Sequence, residues 1–235
     1  MSRTRQAKGK KGSLRAIQWY VNEAPAELDK QIAEASGGRI KAPLDWKSPL
    51  RGDGWAEYSD GDFLDLLGIS LPNRSLNAFW PKRGPQWDAL GKSSNGQVVL
   101  VEAKAHVAEI ISPPSAAAET SFKRIKTSLA EVAKSLGTES SCDWTGTFYQ
   151  YSNRLAHLYL LRELNNVPAW LVFVCFTNDR IMKGPATAGE WRAATEVLKG
   201  ALGLQRHRLS RYILEVYPDA RPAYGDAERL ESATV

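Results

Sequence analysis

Two cysteines in 235 residues, Cys142 and Cys175, are too few and too isolated for a disulfide framework or a zinc site. A reduced, cytoplasmic setting is the simplest account of them. No apolar run approaches the roughly 18–20 residues that a membrane helix needs. The basic amino terminus leads into no apolar segment of the kind a secretory signal carries, so no membrane partner is expected. Internal repeats and long linkers are also missing. One domain over residues 13–217 is therefore expected, between a disordered basic arm (1–12) and a weakly ordered tail (218–235). Acidic residues are absent from the first fifteen positions, which hold Arg3, Arg5, Lys8, Lys10, Lys11 and Arg15. Setting those six aside leaves 25 basic residues against 26 acidic ones, so the body is close to neutral and the basic character belongs to the arm. Such an arm either contacts phosphates by counterion release or only solubilises the chain.

What is present is a core of ordinary size, with 43% hydrophobic residues. Apolar spacing predicts helices from Ser13 through Val21 and over 26–35, then a proline-rich loop over 41–54. Asp60 or Asp62 is expected to cap a short helix over 63–69. Three strands follow, at 76–80, 86–90 and 97–106, the last two joined by a loop over 91–96. Phe122, Ile125, Leu129, Val132 and Leu136 mark an amphipathic helix. A helix over 148–164, an apolar strand over 169–176, a helix from a Thr187/Glu190 capping box to about Leu202 and a strand over 212–217 complete the order. The fold class is α/β, a mixed α+β sheet with helices on both faces.

The most informative segment is GQVVLVEAKAH, residues 96–106. Alternation on a strand places Val98, Leu100, Glu102, Lys104 and His106 on one face. The small apolar face of Val99, Val101, Ala103 and Ala105 is expected to meet the 122–136 helix. Glu102 and Lys104 then lie roughly 6–7 Å apart along the strand. If Gly91 and Gln97 close the hairpin, Asp88 falls opposite Leu100, on the face of Glu102 and one diagonal step away, roughly 7–8 Å. Two carboxylates so placed suit Mg²⁺, which takes oxygen ligands from one or two acids. A lysine beside them can orient water or offset charge in a transition state.

Asp88, a hairpin, then Glu102-Ala103-Lys104 in an apolar strand followed by an amphipathic helix resembles the PD-(D/E)XK nuclease superfamily. Here the family's Pro-Asp pair is spread over Pro85-Gln86-Trp87-Asp88. The resemblance covers about residues 55–176. It implies a restriction-endonuclease-like αβββαβ core and a Mg²⁺-dependent hydrolysis of phosphodiester bonds, with Mn²⁺ able to substitute. The metal set it implies is Asp88, Glu102 and the main chain of Ala103, with Lys104 as catalytic partner. Many members add a glutamate from a preceding helix, for which Glu57 is the candidate and Glu34 the runner-up. RecB-like members place a glutamine in a helix comparable to 148–164, which points to Gln150.

Other residues have weaker signals. Lys123, Arg124, Lys126 and Lys134 on one helix, and Gln150, Asn153, Arg154 and His157 on the next, are candidate nucleic-acid contacts, with Lys123, Lys126 and Arg154 foremost. Trp80 and Trp87 could stack on a base, or fill the core. His106 could border the site. Arg206, His207, Arg208 and Arg211 form a basic cluster with no assigned purpose. A second acid-x-Lys triplet, Asp45-Trp46-Lys47, is set aside because it lies between prolines and outside any expected strand. The partners expected are nucleic acid, DNA before RNA, and a second copy of the chain in a homodimer. The competing reading is a non-catalytic nucleic-acid-binding or assembly module on the same fold.

Overall fold

The computed structural model describes residues 2–138 and 142–225. They form β1 (Arg3–Thr4), α1 (Gly12–Glu23), α2 (Pro25–Ala35), β2 (Leu44–Ser48), β3 (Glu57–Tyr58), α3 (Asp60–Leu66), α4 (Leu76–Phe79), β4 (Ala89–Ser93) and β5 (Val98–Lys104). Then come α5 (Glu119–Leu136), α6 (Tyr149–Tyr159, continued by a π turn over Leu160–Leu164), β6 (Ala169–Cys175), α7 (Ala188–Leu202), β7 (Ile213–Val216) and α8 (Arg221–Tyr224). Five strands build one mixed sheet in the order β2-β4-β5-β6-β7, while β1 pairs only with β3. β2, β4 and β5 are antiparallel neighbours; β6 and β7 are added in parallel. A parallel neighbour cannot be reached by a hairpin, and α5–α6 and α7 provide the two crossovers. The class is the mixed α/β one expected. Among the described residues no helix is long and apolar enough to cross a membrane.

β5 and β6 are buried along their whole length because helices cover both faces of the sheet. Val98, Leu100, Leu171 and Phe173 share a core with Ile125, Leu129 and Val132 of α5 and Leu155 and Leu158 of α6. Val99, Val101 and Ala103 lie on the other side, against Ile17 and Tyr20 of α1 and Leu28 and Ile32 of α2. The small-residue face therefore meets the amino-terminal helices, not α5 as expected. Alternation fixes which residues share a face, but the face a crossover helix takes depends on where the next strand is added.

Five other expectations change. The proline-rich stretch 41–54 contains β2, whose Leu44, Trp46 and Ser48 point inward. Pro43 and Pro49 flank this edge strand, where no ladder donor is lost. The run at 76–80 is the single-turn helix α4, started by Ser75, whose hydroxyl accepts the Ala78 N–H at 3.3 Å. Neither Asp60 nor Asp62 caps α3, which starts after Ser59. Instead, Asp60 accepts the N–H groups of Arg83 and Gly84 at 3.0 and 2.8 Å, and Asp62 accepts that of Ser2 at 2.8 Å.

The fourth change is the amino-terminal arm, which is docked. Arg3 and Thr4 pair with Tyr58 and Glu57, and the buried Gln18 accepts the Gly9 N–H at 2.8 Å and donates to Ala7 O at 3.1 Å. Gly9 lies so close to α1 that a Cβ there would stand 2.6 Å from the Arg15 backbone, so only glycine fits. In the expected tail, Tyr224 of α8 is buried and donates its hydroxyl to Asp179 at 2.6 Å. Residues 226–235 lie outside the described residues. Thr187 caps α7 as expected, its hydroxyl accepting the Glu190 N–H at 3.3 Å, but the return bond of the capping box is displaced by one residue: Glu190 accepts the N–H of Ala186 at 2.8 Å, not that of Thr187.

Candidate active site

The β4–β5 hairpin sets the geometry. Leu90 pairs with Leu100 and Gly91 with Val99, so continuing the register brings Asp88 opposite Glu102, two residues from the expected pairing. A shift of two keeps every side chain on its face, so Asp88 still shares the face of Glu102. The turn is tighter than the expected six-residue loop: Ser93 N–H donates to Gln97 O at 2.9 Å, and Gly96 takes φ +79. Asp88 N–H donates to Val101 O at 3.2 Å, and its carboxylate accepts the Ala103 N–H at 2.7 Å.

α6 supplies the next layer. Gln150 and Arg154, one helical turn apart, both reach the end of β5. Lys104 Nζ donates to Glu102 Oε1 and to Gln150 Oε1, the latter at 2.7 Å. Arg154 Nε donates to Glu102 Oε2 at 2.7 Å, and its other nitrogens donate to Asn153 Oδ1 and Gln86 O, both at 2.8 Å. The guanidinium also lies over the Trp87 ring, 5.1 Å from its centroid. Arg154 is thus buried with its donors spent inside the protein, not displayed as a surface contact for nucleic acid.

Glu57 joins this group from β3, not from the start of a helix as expected. It is buried, and Gln6 of the arm donates to its Oε2 at 2.9 Å. Burial, reinforced by the charge of Glu102, pushes its pKa up to about 7 against the hydrogen bond from Gln6. Burial and then the Glu102 charge likewise hold Asp88 well above the usual carboxylate range. Burial also works against ionised Glu102, but the Arg154 and Lys104 charges outweigh it and its pKa is lowered. Two carboxyls that resist ionisation thus flank one that is strongly ionised.

A raised carboxyl pKa means that the folded protein binds more protons than the unfolded chain between the two values. Stability contributed at this site is therefore highest below the unfolded value and falls as pH rises through about 7. For Glu57 the loss is at most about 3 kcal/mol. Glu57→Gln should thus stabilise the protein more at pH 8 than at pH 5, read from urea midpoints. Equal gains at both values would contradict this assignment.

The residues present fit Mg²⁺ in donor chemistry and in charge. Three acids, Glu57, Asp88 and Glu102, face two cations, Lys104 and Arg154, and the excess negative charge contributes to the raised values of Asp88 and Glu57. Among the described residues no three His, Cys, Asp or Glu side chains are gathered as a ready metal cage. Ala103 presents only its main chain here, its side chain belonging to the opposite core.

Several other candidates lie elsewhere. Trp80 and Trp87 are fully buried, so neither can stack on a base. His157 is buried between them and bonded through Nδ1 to Asn153 O at 2.8 Å; burial pushes its pKa down to about 3, which keeps it neutral. His106 pairs with Glu109 at 3.4 Å. Glu34 is exposed on α2, 4.0 Å from Lys30. Lys123 and Lys126 are exposed on α5, with Lys123 paired to Glu119 at 2.7 Å. Asp45 and Lys47 do lie on a strand, but they face outward and pair with each other at 2.6 Å. In the carboxy-terminal basic cluster, Arg208 pairs with Glu163 at 3.0 Å.

Two features escaped the sequence reading. One is the inward role of Arg154, signalled only by its four-residue spacing from Gln150. The other is a cleft of about 570 Å³ lined by Lys82, Arg83, Arg124, Ser121 and Tyr149, next in sequence to Gln150. Its cations come from two segments some forty residues apart, Lys82-Arg83 and Arg124; only Arg124 is among the basic residues that the sequence marks. Comparison of the chain with protein-family models, curated proteins and solved structures finds no match.

Proposed function

We propose that this chain is a Mg²⁺-dependent nuclease of the PD-(D/E)XK kind, with a restriction-endonuclease-like core, hydrolysing phosphodiester bonds of nucleic acid and of DNA before RNA. The observation that carries the reading is the meeting of Asp88, Glu102 and Lys104 at one end of a hairpin, with Gln150 on the lysine. The antiparallel β2-β4-β5 set, followed by helices and a parallel β6, supports it as well.

Asp88 and Glu102 would hold the ion, for which Mn²⁺ can substitute. When bound, it supplies a polarised phosphoryl oxygen and a more acidic water. The remaining work falls to the chain. Lys104, steered by Glu102 and Gln150, offers a fixed positive charge to oxygens that gain charge as the phosphorus–oxygen bond breaks. Glu57, with a pKa near 7, can take a proton at neutral pH. The cationic cleft at Lys82, Arg83 and Arg124 suits a phosphate backbone, which is recognised by charge and position more than by sequence.

The test is incubation of the full chain with end-labelled single-stranded and duplex DNA and RNA in Mg²⁺ or Mn²⁺. Cleavage that EDTA and Asp88→Ala both abolish is expected, and no cleavage of any substrate under either ion would overturn the proposal. One observation favours the non-catalytic reading: each Glu102 oxygen is already taken by a buried cation. Binding that survives Glu102→Gln without any cleavage would select that reading.

A further inference from the structure

A second cleft lies at the same edge of the sheet as the acid cluster. β2 ends at Ser48, paired with Leu90, so the chain leaves β2 at the edge where β4 begins and β5 ends. Over the next residues it forms one wall of a cleft of about 360 Å³, within the range that holds a small ligand. Lys8 of the docked arm, Arg15 and Trp19 of α1, Arg51, Trp55 and Tyr224 line it. Arg51 lies over the Trp55 ring at 5.6 Å, and Arg15 over Tyr224 at 5.1 Å. The acid in the lining, Glu23, is ion-paired with Arg51.

The walls are built, not incidental. Gln18 pins the arm to α1 with two hydrogen bonds, Gly9 permits the close seat, and Arg15 Nε donates to Ala223 O at 2.9 Å. Trp19 and Trp55 nevertheless remain partly exposed, and Lys8 and Arg51 are exposed. Large flat rings kept at a surface beside cations, in a wall that two chain segments are ordered to make, match one ligand chemistry well. A nucleotide presents a flat base to the rings and a phosphate to the cations. Trp55 precedes Glu57 by two residues, which puts this cleft on the flank of the acid cluster.

We propose that this cleft binds an unpaired nucleotide of a nucleic-acid strand, with Trp55 and Trp19 taking the base and Lys8, Arg15 and Arg51 the phosphates. The proposal rests on the nucleic-acid reading above and adds that the substrate has a single-stranded segment. Stacked bases inside a duplex have no free face for Trp55, so a duplex without such a segment is a poor ligand.

Fluorescence anisotropy of a labelled dT12 strand with the full chain in EDTA tests binding without cleavage. Trp55→Ala should weaken the affinity at least about fivefold, the low end for one base–aromatic stack. The double variant Lys8→Ala/Arg51→Ala, at two exposed positions that need not disturb folding, should also weaken it. It should reduce the slope of log K against log salt by about 1.4, the value for two lost contacts to a single strand. Blunt duplex should compete poorly. Wild-type affinity and slope in both variants would overturn the proposal, as would a mononucleotide, thymidine monophosphate, binding as tightly as dT12. Cleavage that persists while both variants bind normally would sink this inference alone. Binding that depends on the cleft, with no cleavage in any ion, would sink the nuclease reading alone.

Discussion

Glu102→Ala should destabilise the protein by about 3–5 kcal/mol, the cost of leaving buried charges without their partner. Lys104 and Arg154 both bond the Glu102 carboxylate, and all three side chains are less than a tenth exposed. Removing the carboxylate strands two cations. It also removes the charge that, after burial, does most to keep Asp88 protonated. Asp88 should then ionise and take over part of the pairing. Asp88→Asn should consequently be nearly neutral in the native background and clearly destabilising on top of Glu102→Ala. Urea denaturation of the four chains at pH 7 measures this reversal. Additive effects would mean that Asp88 and Glu102 do not share the two cations.

Lys104→Ala is expected to lower the single-turnover cleavage rate about 10²–10³-fold with little change in substrate affinity. That is the usual cost of removing one fixed donor to a developing negative charge. Gln150→Ala removes a group that only steers Lys104, so its loss should be smaller and should vanish in a Lys104→Ala background. Single-turnover assays with saturating enzyme separate the rate from binding. A Lys104→Ala chain that cleaves at the native rate would remove the lysine from the chemistry and reduce the Glu102–Lys104 pair to a structural one.

How much of this was legible depended on whether the controlling interaction was local. The β5 face, with Glu102 and Lys104 together, follows from alternation alone. Asp88 was found through parity, and the two-residue register error did no harm because parity repeats every two residues. Gln150 followed from a resemblance and then proved to be hydrogen-bonded to Lys104. Segments whose structure depends on distant partners were misread. β2 is a strand because β4 offers it a ladder, despite prolines at its ends, and Trp46 is anchored by its indole N–H to Asp29 Oδ1 at 2.9 Å. The 76–80 run has the composition of a strand, but Ser75 caps it into a turn of helix. Arg154 reads as a surface cation until Glu102, 52 residues earlier, is brought beneath it.

The docked arm has a consequence for anyone shortening the chain. A version starting at Ser13 would lose five positive charges together with the β1–β3 pairing, the Gln6 bond to Glu57 and one wall of the second cleft. Weaker binding by such a truncation would therefore say nothing specific about electrostatics. Replacing Lys8, Lys10 and Lys11 by neutral residues in the intact chain changes the charge and leaves Gly9 in its seat, which makes it the cleaner dissection.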